Sequence, residues 1–257
     1  MLKEIIISIQ AYFEAHRFIK KHGLWKWILL PGIIYAILFI TGFYLFWSSS
    51  NMAISWMFSR FGVKKWIDHM EEGWLSFFFI IGNVFIQLFL IIFYFSLFKF
   101  ISLILGSPIF AFLSEKTESI LNGKELPFRF SLLMSDMFRG VRIAIRNASW
   151  QTIYMVSLFF LSLIPLVGWI TPLVGLFVDC YYMGFSMLDY SSERNELDVN
   201  ASVSFIGHHR GLAIGNGMVF YTFHAVPVIG WVFAPGYAVV AATLSLHKAR
   251  ENQIIPN

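Results

Sequence analysis

The chain has 257 residues, of which 58% are hydrophobic, 19% aromatic and only 13% charged, with a formal net charge of +4 at pH 7. A soluble domain is usually about 25% charged, so this composition excludes a water-soluble domain and makes lipid the solvent for much of the surface. The single cysteine, Cys180, excludes an internal disulfide and a multi-cysteine metal site, and a modest basic excess in so apolar a chain speaks for membrane sidedness rather than a nucleic-acid partner.

In residues 1–22, Ile5, Ile9, Tyr12, His16 and Ile19 recur at helical spacing among Lys3, Glu4 and Glu14. This predicts an amphipathic helix at the membrane interface, apolar face down, rather than a signal peptide. Residues 25–47, WKWILLPGIIYAILFITGFYLFW, predict the first transmembrane helix. It carries no charge after Lys26, has Pro31 in its first turns, and places tryptophans at both ends, at headgroup depth. Ser48 to Gly73 mixes Arg60, Lys64, Lys65, Asp68, Glu71 and Glu72 with Trp56 and Trp66, and reads as a short amphipathic external segment.

Residues 74–106 predict the second transmembrane helix, ~50 Å long at 1.5 Å per residue and therefore tilted or projecting from the bilayer. From Ser107 to 149 the chain becomes amphipathic and predicts cytoplasmic or interfacial helices, with a turn at Asn122-Gly123. Arg139, Arg142 and Arg146 share one helical face there. They are candidates for an anion vestibule, with lipid phosphates as equally good partners. Basic residues crowd before the first span and after the second, which puts both flanks in the cytoplasm.

Two apolar turns follow, PLVGWITP at Pro165 to Pro172 and PVIGWVFAP at Pro227 to Pro235. They sit within residues 150–188 and 211–247, each flanked at both ends by polar groups. The arms of the second, Ala213 to Val226 and Gly236 to Leu246, would make ~16 to 21 Å of helix against ~30 Å of hydrocarbon. The reading is two re-entrant, hemi-penetrating hairpins, with fully spanning hairpins as the alternative. Backbone freed at such an apex must be buried in protein or touch water, so the hairpins imply a packed oligomer or an aqueous path.

Asp179 lies inside an apolar arm, where a carboxylate calls for a partner such as His224 or Arg210, or for a proton relay. Arg210 opens the second hairpin and is expected to pair with Glu115, Glu118 or Asp189. Ala213, Gly215 and Gly217 would let another helix approach closely. His208 and His209 are adjacent, so their side chains point apart and do not form a metal pair. The chain contains no G-x-S-x-G, H-E-x-x-H, P-loop or Cys-x-x-Cys pattern. Neither an enzyme nor a cofactor is expected.

A resemblance gathers these features. HGLWKWILLP (His22 to Pro31), SPIFAFLSEKTE (Ser107 to Glu118), the first turn, LDY (Leu188 to Tyr190), RGLAIGNG (Arg210 to Gly217) and the second turn occur in one order and spacing. In these the chain resembles the CysZ sulfate permease family and, more distantly, the eukaryotic etoposide-induced membrane proteins. The resemblance implies an all-α integral membrane fold with two long transmembrane helices and two hemi-penetrating hairpins. It also implies homo-oligomers in the bacterial inner membrane and sulfate uptake feeding cysteine synthesis. The family's sulfate motif is Gly-Leu-Arg, usually followed by a second basic residue. Carried over, it falls on Gly23, Leu24, Trp25 and Lys26, with Lys21 and His22 beside them. Trp25 stands where the family has arginine, so a bidentate guanidinium is replaced by the point charge of Lys26 and by helix-end amides. Ser191 stands where the family often has proline after Asp-Tyr. A non-transporting membrane organiser of the same fold is the alternative function.

Overall fold

The computed structural model describes residues 1–60, 62, 74–123, 130–162, 164, 167–192 and 199–252. Among the described residues all regular structure is helical. The elements are α1 (Leu2–His22), α2 (Trp25–Arg60), α3 (Trp74–Asn122), α4 (Phe130–Ser162), a 3-10 turn (Val167–Trp169), α5 (Thr171–Ser192), α6 (Val199–His208), α7 (Arg210–His224) and α8 (Ile229–Glu251). Among the described residues three stretches are long and apolar enough to cross a membrane: Trp25–Arg60, Val167–Ser191 and Ile229–Glu251. The chain divides into two compact units, one formed by Met1–Ala36 with Ser102–Asn257 and the other by Ile37–Ile101.

The larger unit is built on α1, α5, α7 and α8, with α7 packed against α1, α5 and α8. Small residues permit this. A Cβ on Gly184 of α5 would lie 1.9 Å from the carbonyl oxygen of Ala213, and one on Gly217 of α7 would lie 1.9 Å from that of Cys180. The two backbones therefore touch, as small residues facing one another allow. Gly215 faces α1 in the same way, so the close approach expected at Ala213, Gly215 and Gly217 is present. Residues 234–246 of α8 are all buried, as befits a helix apolar all round. Three polar side chains in this core are hydrogen-bonded across helices: Ser8 Oγ donates to the Leu212 carbonyl at 2.9 Å, Tyr12 Oη to that of Asn216 at 3.0 Å, and Asn216 Nδ2 to that of Ala238 at 3.0 Å.

The smaller unit is held by aromatic packing. Phe39, Phe43 and Phe46 surround Tyr94 at centroid distances of 5.2 to 5.5 Å. The Tyr94 hydroxyl donates to the Phe39 carbonyl at 2.7 Å.

Several expectations are corrected. The buried face of α1 is Glu4, Ile7, Ser8, Ala11, Tyr12, Ala15 and Ile19. That face packs on α7 and α8, so Tyr12 and Ile19 are covered by protein and do not point to lipid. α2 continues past Trp47 to Arg60, taking in the first part of the expected external segment. Residues 61 and 63–73 lie outside the described residues. α3 runs unbroken through Pro108 to Asn122, and the expected stop at Asn122-Gly123 is present, with Gly123 at φ 63°. α4 crosses the boundary placed at 149/150.

The second turn is also corrected. Pro235 lies inside α8, which begins at Ile229 and has 23 residues. Its length is about 34 Å at 1.5 Å per residue, enough for ~30 Å of hydrocarbon. A proline deletes one ladder bond, and a helix held on all sides by neighbours tolerates that. α7, with 15 residues, remains short at about 22 Å. Pro165 of the first turn lies outside the described residues.

Candidate functional site

The junction of α1 and α2 is the first candidate. α1 closes with Lys20, Lys21 and His22 in its last turn, where cations complement the helix dipole. Gly23 follows at φ 65°, ψ 32°, and its N–H donates to the Ile19 carbonyl. This left-handed cap is a natural position for glycine. Leu24 N also donates to the Ile19 carbonyl at 3.1 Å, and the Leu24 carbonyl then accepts from Trp27 N at 3.0 Å and Ile28 N at 3.3 Å. One helix thus ends and the next begins within two residues, and the fully buried Leu24 pins the turn.

The Trp25 ring is committed to packing. It meets His16 edge-on at 6.1 Å, Phe233 at 6.2 Å and Tyr237 at 6.4 Å, and His16 Nδ1 shares a 2.8 Å hydrogen bond with the Tyr237 hydroxyl. Lys20, Lys21, His22 and Lys26 are exposed. Among the described residues Lys20, Lys21 and Lys26 make no ion pair. The amides of Trp25 and Lys26 are first-turn donors that α2 itself cannot satisfy. An exposed helix N-terminus with adjacent ammonium groups can bind an anion.

The arginine strip is the second candidate, and the structure divides it. Arg139 Nη2 donates to Asp189 Oδ1 at 3.0 Å, with side chains only 12% and 3% exposed. Ser202 Oγ donates to the same oxygen at 2.5 Å. Arg146 donates to Asn147 Oδ1 at 3.0 Å and lies over the Phe185 ring at 5.5 Å. Arg142 is exposed.

Farther along the same α4–α5 seam, Asn147 Nδ2 donates to Ser186 Oγ at 3.2 Å, and Gln151 Nε2 donates to Asp179 Oδ1. Asp179 therefore pairs with an amide from α4, and the two partners proposed for it are engaged elsewhere. His224 shares a 3.1 Å hydrogen bond with the Tyr35 hydroxyl. Arg210 donates through Nε to the Gly207 carbonyl at 2.8 Å. Arg210 makes no ion pair with Glu115, Glu118 or Asp189 among the described residues. It is exposed at the start of α7, where a carbonyl one turn back is the nearest acceptor, while Asp189 is taken by Arg139.

Some polar groups had no readable signal in the sequence. Glu4 reaches across to α7, accepting from the Gly211 N–H at 3.1 Å and meeting His209 Nδ1 at 3.0 Å, which satisfies the start of that helix from a distant one. Ser114, Ser191 and Thr243 form a buried hydroxyl triangle with edges of 2.9, 3.2 and 2.7 Å. Each comes from a different helix, and only the tertiary fold brings them together.

The chain is similar to known proteins along most of its length. The family model described as Sulfate transporter CysZ/Etoposide-induced protein 2.4 matches residues 11–235. A protein named Sulfate transporter CysZ from Pseudomonas syringae pv. tomato is 27% identical over 249 residues, covering 95% of this chain and 92% of the relative. The protein of the same name from Pseudomonas aeruginosa is 25% identical over 237 residues, covering 90% of each. Another from Pseudomonas fluorescens is 24% identical over 246 residues, covering 93% of this chain and 92% of its own length.

Proposed function

The chain belongs to the family of the sulfate transporter CysZ and the etoposide-induced protein 2.4, and on that premise we propose that it is a membrane permease for sulfate or a closely related oxyanion. It works in the cytoplasmic membrane of a bacterium, as a homo-oligomer, and supplies sulfate assimilation and cysteine synthesis. The observation that carries this reading is the α1–α2 junction. The left-handed Gly23 exposes the first-turn amides of Trp25 and Lys26 beside the Lys26 ammonium.

In this reading Gly23 and Lys26 line the anion, Leu24 anchors the turn, and Trp25 contributes its amide while its ring stacks inward. Lysine offers a point charge where a guanidinium would offer a fork, so recognition is weaker and less directional. That suits passage, because a dehydrated dianion must be held firmly enough to enter and loosely enough to leave. The α4–α5 and α7–α8 pairs serve as re-entrant hairpins whose apices dip into the membrane. The short α7 supports this for the second pair. Exposed Arg142 draws anions toward the cytoplasmic mouth, while Arg139 and Arg146 hold the hairpin.

Labelled sulfate flux into proteoliposomes tests the proposal. Uptake above that of empty vesicles, reduced by competing oxyanions but not by chloride, is expected. Absence of flux for sulfate and for every other oxyanion tried overturns it in favour of a non-transporting membrane organiser.

A further inference from the structure

α1 carries two acids, and both are bound by groups from other helices. Glu4 is taken by His209 and the Gly211 amide, and Glu14 accepts from Lys248 Nζ at 2.5 Å. The side of the helix opposite Glu4 is different. Leu2, Ile6 and Phe13 are 74%, 53% and 70% exposed, and at about 100° per residue they fall on one strip. Lys3, Arg17 and Lys21 are exposed along the edge of that strip. The outward face is therefore an apolar line bordered by cations; Glu4 lies on the opposite side, and Glu14, on the cationic edge, is neutralised by Lys248. Two residues beyond its end begins a stretch long and apolar enough to cross a membrane.

We infer that this outer face of α1 is a docking surface for anionic phospholipid. Leu2, Ile6 and Phe13 enter the boundary between headgroups and acyl chains, while Lys3, Arg17 and Lys21 meet lipid phosphates. The chemistry requires both parts. An apolar strip alone would accept any bilayer or a second protein, whereas a row of cations at its edge, with the one carboxylate there neutralised by Lys248, selects a negative surface. Long basic side chains lay their stems on the apolar strip and keep their charges at phosphate level. The inference concerns the face of α1 turned away from α7 and α8, and of its residues only Lys21 also stands at the α1–α2 junction.

Site-directed spin labelling of the full chain tests it. Cys180 is buried, so a nitroxide is directed to Phe13→Cys, or to Ile6→Cys if the first variant folds poorly. The protein is placed in nanodiscs of phosphatidylcholine alone or mixed with phosphatidylglycerol. The expected label is relaxed severalfold more by oxygen than by an aqueous nickel chelate, and it sits deeper when phosphatidylglycerol is present. Changing Lys3, Arg17 and Lys21 together to Gln removes that lipid dependence. Inorganic phosphate added to phosphatidylcholine discs does not reproduce it. A label as open to the nickel chelate as a free loop overturns the proposal. So does dipolar broadening between labels, which would mean that a second copy covers this face. Equal depth in both lipids overturns the assignment of anionic lipid.

Discussion

The α1–α2 junction and the α4–α5 seam both gather basic residues, and the fold treats them in opposite ways. At the junction, Lys20, Lys21 and Lys26 stay exposed and unpaired among the described residues, beside helix-end amides. In the seam, Arg139 is locked to Asp189, and Arg146 is bonded to Asn147 over the face of Phe185. A row of cations at helical spacing fixes only a shared face. Whether those charges are available to a ligand is decided by acids and amides that arrive from another helix.

The comparison breaks most easily at Asp189. Asp189→Leu strands the buried Arg139 guanidinium and should destabilise the protein by about 3–5 kcal/mol, measured by unfolding in detergent. Pairing it with Arg139→Met should restore most of that loss, since a well-packed apolar pair replaces a buried ion pair at little cost. A single variant as stable as the parent would mean the seam is open and its cations free.

Gly217→Leu comes next. Its first side-chain carbon falls 1.9 Å from the Cys180 carbonyl oxygen, so α5 and α7 must separate, at about 1–3 kcal/mol. Gly175→Ala, whose Cβ would make only ordinary contacts with Met155 and Leu158 at 3.7 to 3.8 Å, should leave the unfolding midpoint unchanged. Thr243→Val opens the hydroxyl triangle and should cost about 1 kcal/mol. Lys26→Ala, exposed and unpaired, should change stability by no more than about 0.5 kcal/mol. A larger loss would make Lys26 a structural residue and remove the distinction between the two regions.

Much of this architecture was legible beforehand. The deficit of charge declared a membrane chain. The start at Trp25, the stop at Asn122-Gly123 and the small residues at Ala213, Gly215 and Gly217 all follow from local chemistry. Helix lengths were harder. The boundary placed at 106/107 and the turn closed at Pro235 both fall inside helices, and Pro108 and Pro235 are accommodated there because neighbouring packing outweighs one missing ladder bond. Partners were hardest. That Asp189 faces Arg139 rather than Arg210, or that Glu4 serves the start of α7, depends on which helix faces turn toward each other. The same holds for α1, whose periodicity announced an amphipathic helix with its apolar face on the membrane, whereas Tyr12 and Ile19 turn toward protein. Even apolar surface needs its neighbours to be read. Residues 234–246 are buried by protein, whereas Ile153, Phe159, Phe160 and Leu173 are exposed.

The decisive measurement compares labelled sulfate uptake by Lys26→Ala with that by the paired Arg139→Met/Asp189→Leu variant, each reconstituted at equal protein density. If the junction receives the anion, Lys26→Ala loses most of the uptake while the paired variant keeps it. Uptake retained in Lys26→Ala and lost in the paired variant would contradict the account and move the anion site to the seam.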